Sequence, residues 1–175
     1  MIHRILVMGS PCVGKSSLNI RLTQDYFSDK YSPTIDDAYR IQLSIDGEQV
    51  LIEIHDIGGD CHHQFKQVDG LLCIYSIVSR ESFVALDQMT TTIPENIPIV
   101  FVGNKTDLEN GRVVNVIEGL ELAQRYNTEY FETSAKTGTN VACIYEQLTR
   151  KILEYNDISR QKSTIHDELL QSTSF

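Results

Sequence analysis

Residues Gly9 to Ser16, GSPCVGKS, place two glycines, a lysine and a hydroxyl at the spacing GxxxxGK[ST]. Such a loop, set between a strand and a helix, surrounds phosphate with successive backbone N–H groups and the helix N-terminus. Lys15 would add positive charge at the β- and γ-phosphates, and the Ser16 hydroxyl would reach Mg²⁺. A second segment, GNKTD from Gly103 to Asp107, follows an apolar run. A carboxylate there can accept from the N1–H and the exocyclic amine of guanine together, a donor pair that adenine lacks. Alone, Asn-Lys-x-Asp fits a capped turn equally well. ETSAK, Glu132 to Lys136, ends another apolar run and would offer the Ala135 N–H to the guanine oxygen. Within HDIGGD, His55 to Asp60, the four residues Asp56-Ile57-Gly58-Gly59 have the spacing of a loop that senses magnesium and a γ-phosphate.

The elements that must position these segments are legible as periodicity. RILVMG (Arg4–Gly9) reads as a buried strand, and Lys15 to Tyr26 carries Leu18 and Leu22 at helical spacing. Tyr39, Ile41, Leu43 and Ile45 alternate on one face, Asp46-Gly47 is a strong hairpin signal, and VLIEIHD returns antiparallel. Further strands are expected at Gly70–Ile77, Ile97–Asn104 and Glu129–Ala135, with helices over Arg80–Met89, Val116–Tyr126 and Val141–Tyr155. Alternating strands and helices imply an α/β fold with a mostly parallel sheet and helices on both faces. Ligands then bind at the carboxyl ends of the strands, where every motif above falls. The reading is one domain over residues 1–156, followed by a mobile polar tail over 157–175.

A net charge of −9 in 175 residues argues against a nucleic-acid surface and against electrostatic adhesion to anionic lipid. Cys12, Cys61, Cys73 and Cys143 are dispersed in a chain too large to need staples, as reduced thiols of a cytoplasmic protein would be. No apolar run approaches the roughly 18 residues of a membrane span. The last residues, LLQSTSF, contain no cysteine box or basic cluster, so no lipid anchor is expected in this chain.

Together, GSPCVGKS, HDIGG, GNKTD and ETSAK, in this order and at successive strand ends, resemble the Ras-like small GTPases from Ile2 to about Tyr155. The segment FSDKYSPTIDDAY, Phe27 to Tyr39, is similar to the Ras and Rap effector loop. The resemblance implies a six-stranded sheet with one antiparallel strand and a switch loaded with GTP or GDP and Mg²⁺. Gly9, Cys12, Val13, Gly14, Lys15, Ser16 and Ser17 would hold the phosphates. Phe27 would stack on the guanine, with Asn104, Lys105, Asp107, Ser134, Ala135 and Lys136 completing the base site. Ser16, Thr34 and Asp56 would hold the metal, and the Gly59 N–H would touch the γ-phosphate. Lys15, Thr34, Gly59 and Asp60 would form the catalytic set. Loss of the γ-phosphate would release Thr34 and Gly59 together. Effectors would dock through Tyr31–Tyr39, in the manner of a ubiquitin-like domain adding to an edge strand. An exchange factor and an activator are expected partners of a monomer.

Three departures from the family lie around the γ-phosphate. Asp60 stands where a glutamine usually orients the attacking water. An ionised carboxylate only accepts hydrogen bonds, and it brings negative charge toward a transition state that needs positive stabilisation. A positioned proton-handling group is worth about 10²–10⁴ in rate, so hydrolysis is expected to be slow. Asp60 acting as general base, or Gln64 or Gln67 reaching back, are the competing readings. Pro11 replaces a glycine beside the γ-phosphate, in the path of an activator's arginine, which is worth roughly 10³–10⁵ in rate. The Asp56–Gly70 and Phe83–Pro98 spans are both shorter than in Ras, so the usual short helix after the second switch is not expected to form whole. The adjacent Cys61, His62 and His63 cannot easily converge on one metal, and they read as an exposed polar loop. His55 reads as a local packing substitution. A pseudo-GTPase that binds without hydrolysing is the alternative function. A nucleotide kinase, which would need an arginine-rich lid, fits less well.

Overall fold

The computed structural model describes residues 2–28, 36–57 and 62–172, with the side chains of all of these except 36, 57, 62–64, 160 and 162–172. Its elements run β1 (Ile2–Met8), α1 (Lys15–Gln24), β2 (Asp36–Ile45), β3 (Glu48–Ile57), β4 (Gly70–Ser76), α2 (Arg80–Thr90), β5 (Ile99–Asn104), α3 (Val116–Arg125), β6 (Tyr130–Thr133) and α4 (Val141–Ser172). The six strands form one sheet in the order β2-β3-β1-β4-β5-β6. β2 is antiparallel to β3, and every other pairing is parallel. The β2–β3 hairpin turns at Asp46 and Gly47, both at positive φ, 51° and 90°, as a tight two-residue turn between right-twisted strands requires.

Strand alternation divides the core into two layers. Ile5 and Val7 of β1, Val50, Ile52 and Ile54 of β3, and Val100 and Val102 of β5 pack with Leu18 of α1 and Ile144, Tyr145, Leu148 and Ile152 of α4. Leu6 and Met8, Leu71, Cys73 and Tyr75, and Phe101 face the other way, onto Phe83 and Leu86 of α2 and Leu122 of α3. β4 and β5 are buried along their whole lengths, as expected of central parallel strands covered on both faces.

Helix starts follow local chemistry. Ser79 accepts from the Ser82 N–H ahead of α2, and Asn115 forms a capping box with Glu118 at α3. β5 begins at Ile99 rather than Ile97, directly after Pro98, which has no N–H to give a ladder. Between β3 and β4 the described residues contain one 3-10 turn, His62–Gln67, whose Phe65 enters the α2/α3 core layer. The end of the last helix is corrected: α4 runs past Tyr155 to Ser172, so residues 157–172, expected as a mobile polar tail, are helical. That stretch contains no glycine or proline to stop a helix already nucleated by packing. Among the described residues, no helix is long and apolar enough to cross a membrane.

Candidate nucleotide site

The phosphate loop leaves β1 at Gly9 and enters α1 at Lys15. Gly9 has φ 145°, and a Cβ there would lie 2.0 Å from the Ile74 carbonyl oxygen of β4. Gly14 has φ 99°, and its Cβ would meet the Asn104 amide at 2.4 Å. Both glycines are therefore demanded by close backbone approach as well as by conformation. Cys12 reaches φ 63° with a side chain, on the exposed rim beside Pro11. Lys15 folds back over the loop, its Nζ donating to the carbonyls of Gly9 at 2.9 Å and Ser10 at 3.2 Å. Val13 is buried and anchors the loop in the core.

The guanine-type loop is built on the end of β5 and fastened to this phosphate loop. The Asn104 amide donates to the Val13 carbonyl at 2.9 Å, and its oxygen accepts from Thr133 Oγ1 at 3.0 Å. Lys105, at φ 73°, sends Nζ to the Cys12 carbonyl at 2.6 Å. Thus Asn104 and Lys105 act first as struts between two loops 91 to 93 residues apart in sequence. Ser134 Oγ donates to Asp107 Oδ1 at 2.6 Å and accepts from the Thr137 N–H, which fixes one carboxylate oxygen on an exposed aspartate. Ala135 is buried beside it, Lys136 is exposed, and Phe27 is half-buried against the α1/α4 core layer. Arg112 braces the same end of the sheet, paired with Glu132 of β6 at 2.7 Å and with Glu109 at 2.6 Å.

Asp56 pairs with Val7 across the β3–β1 ladder and shares the sheet face of Val50, Ile52 and Ile54. It is 1 % exposed, and neither carboxylate oxygen has a hydrogen-bond partner among the described residues. Burial pushes its carboxyl up, opposed by the Ser16 hydroxyl, the Lys15 charge and the Asn19 amide. A buried carboxylate without partners is expensive unless a cation answers it. With Ser16 as a second oxygen donor, this donor set suits a hard divalent ion such as Mg²⁺. On the opposite face, Glu53 takes Arg40, His55 at 3.0 Å and, more distantly, Arg4 at 3.7 Å. His55 is thus held in a charged cluster on the face away from Asp56.

Thr34, Gly59 and Asp60 lie outside the described residues, as do Tyr31, Ile35 and Cys61 and the side chains of His62 and His63. Of the expected effector segment, Asp37, Ala38 and Tyr39 are described in full. Tyr39 packs against the core, and burial and the neighbouring Asp37 and Asp56 push its hydroxyl up to about 12.

Three residues that carry this site were not singled out by sequence: Thr133, Asn19 and Tyr145. Thr133 holds Asn104. Asn19, fully buried in α1, accepts from the Tyr145 hydroxyl of α4. A signal for Asn19 existed, since it stands four residues after Lys15 and three after Ser16, on one helix face.

The model of the Ras family matches residues 4–154 of this chain. The Ras-related protein O-RAL of Diplobatis ommata is 35% identical over 187 aligned positions, covering 97% of this chain and 91% of that protein.

Proposed function

Since this chain belongs to the Ras family of small GTPases, we propose that it is a switch that binds GTP and GDP with Mg²⁺ and hydrolyses GTP slowly. The observation that carries the nucleotide site is the strapping of the guanine loop to the phosphate loop by Asn104 and Lys105. That arrangement sets base and phosphate pockets at a fixed separation before any ligand arrives, which lowers the cost of binding.

In this reading the N–H groups from Gly9 to Ser17 surround the phosphates, and Lys15 turns from the Gly9 and Ser10 carbonyls to the phosphate oxygens. Asp107, oriented by Ser134, accepts from the guanine N1–H and amine. The Ala135 N–H meets the guanine oxygen, Phe27 stacks on the ring, and Lys136 closes the rim. Ser16 and Asp56, with Thr34, would hold Mg²⁺. Bound there, the ion would neutralise charge on the phosphate oxygens. Gly59 would read the γ-phosphate, and Asp60 would stand near the attacking water, where its charge slows the reaction.

Among the described residues β2 is an outer strand of the sheet, and an outer strand offers backbone groups to a partner strand. We assign the Tyr31–Tyr39 region and this edge to effector proteins that add a strand. An exchange factor and an activator would grip the loops around it, the latter having to pass the exposed Pro11. The chain would act as a monomer in the cytoplasm.

The test is single-turnover hydrolysis of GTP by purified protein with Mg²⁺. Slow phosphate release that rises about 10²-fold or more in Asp60→Gln supports the switch. Release absent over many hours and restored by Asp60→Gln marks a pseudo-GTPase, the reading that the Asp60 carboxylate also favours. Equal displacement of bound GTP by ATP and by GTP refutes the guanine assignment.

A further inference from the structure

Behind the metal position lies a buried polar pair that the nucleotide reading does not use. Asn19 sits in the middle of α1 at 0% exposure, and Tyr145 of α4 is also at 0%. The Tyr145 hydroxyl donates to Asn19 Oδ1. A hydroxyl that donates to the carbonyl oxygen fixes which end of the amide is which, and so aims Nδ2 the other way. That Nδ2 group has no hydrogen-bond partner among the described residues. The two Asp56 oxygens, on the sheet face covered by α1 and α4, have none either. A stranded double donor and a stranded acceptor pair thus share one buried region, where leaving either unpaired is costly.

We propose that Asn19, oriented by the Tyr145 hydroxyl, is a positioning residue for Asp56. Its amide takes one carboxylate oxygen when the metal site is loaded, leaving the other aimed at the magnesium shell. The Asn19 side chain lies beside the Asp56 carboxylate. Ser16 contributes to the same carboxylate from the preceding turn of α1, so Lys15, Ser16 and Asn19 form one helix face aimed at phosphate and metal. Tyr145 makes α4 part of this face. The last helix is thereby joined to metal affinity through a single hydroxyl.

This inference rests on the magnesium–nucleotide reading given above, and its experiment separates the two. Wild type, Tyr145→Phe and Asn19→Leu are loaded with a fluorescent GDP analogue, and its release is followed over a Mg²⁺ titration and in excess EDTA. Outer-shell partners of metal ligands typically affect affinity by about 10–100-fold. Both variants are expected to raise the Mg²⁺ concentration that half-suppresses release by about tenfold. The release rate in EDTA should change by less than about twofold, because without metal there is no carboxylate geometry to lose. The double variant should be no worse than Asn19→Leu, since the hydroxyl acts through the amide.

An unchanged Mg²⁺ midpoint in both variants overturns the proposal. So does a rate in EDTA that rises by the same factor as in Mg²⁺, which would mean general loosening of α1. If Asn19→Leu does not fold, Tyr145→Phe, which removes one oxygen atom, carries the test alone. Wild-type release that ignores Mg²⁺ refutes the metal reading, and the proposal with it.

Discussion

Asn104 provides the sharpest test of how the two loops are held. In Asn104→Ala the Val13 carbonyl loses its donor, and the Thr133 hydroxyl loses its acceptor. Val13 is 1% exposed and Thr133 0%, so water cannot easily replace either partner. Each stranded group costs about 1–3 kcal/mol, which puts the loss at roughly 2–6 kcal/mol out of a typical domain total of about 5–15. Urea unfolding of the nucleotide-free protein reads this loss directly. Thr133→Val separates the two bonds, because it removes the hydroxyl together with its need for a partner. The double variant should therefore be less damaged than the sum of the singles, by about 1 kcal/mol. The nucleotide-release rate of Asn104→Ala should rise as well, since Val13 would no longer be tied to β5. A stability loss under about 0.5 kcal/mol, or strict additivity with Thr133→Val, would refute the account of Asn104 as a buried strut.

Gly9→Ala must push a methyl into the Ile74 carbonyl and hold φ near 145°. Overpacking and backbone strain together should cost about 3 kcal/mol, seen as a fall of roughly 10 °C in the thermal midpoint. A shift under about 3 °C would mean that the strand ends can part cheaply. Glu118 is held down to about 2, chiefly by Arg80, whose Nη2 donates at 2.9 Å, and then by the Asn115 N–H. A depressed carboxyl stabilises the fold above its ordinary range, and that contribution is lost as pH falls through the folded value. The Glu118 side chain is 35% exposed, so screening limits the gain to about 1 kcal/mol. The difference between wild type and Glu118→Gln in urea midpoint should accordingly be constant from pH 7 to about 5 and close between about 4.5 and 2. A gap that widens on acidification would contradict the sign.

What the sequence made legible follows from local rules. The hairpin was readable because Asp46-Gly47 supplies two positive φ angles between alternating strands. The parallel core was readable because β4 and β5 are apolar runs up to their last residues, Ser76 and Asn104. The phosphate loop was readable because only glycine fits Gly9 and Gly14. The continuation of α4 to Ser172 was not, since a polar composition looks alike in a solvated helix and in a tail. The double role of Asn104 was hidden for another reason. A motif reading assigns its amide to a ligand, while the amide's actual partners, Val13 and Thr133, are 91 and 29 residues away. Asn19 and Tyr145 were hidden for the same cause. Tyr145 sits at core spacing with Val141, Ile144 and Leu148, and nothing local tells a tyrosine with a polar errand from a filler.

In the proposed reading the site divides into a half that retains nucleotide and a half that cleaves it. The retaining half is cross-tied: Asn104 to Val13 and Thr133, Lys105 to Cys12, and Asp107 to Ser134, with Arg112 bridging Glu109 and Glu132. Its members hold one another, so a change there should alter retention and stability together. In the same reading the chemistry of Asp60 enters through the attacking water. Substitution at Asp60 can therefore change the hydrolysis rate by orders of magnitude while leaving release in GDP untouched. In the proposed reading Asp56, like Lys15 and Ser16, is common to both halves, because its carboxylate would serve the metal that both states bind. Whatever sets Asp56, Asn19 and Tyr145 included, should act on the affinity of GTP and GDP alike, whereas substitution at Asp60 should act on hydrolysis.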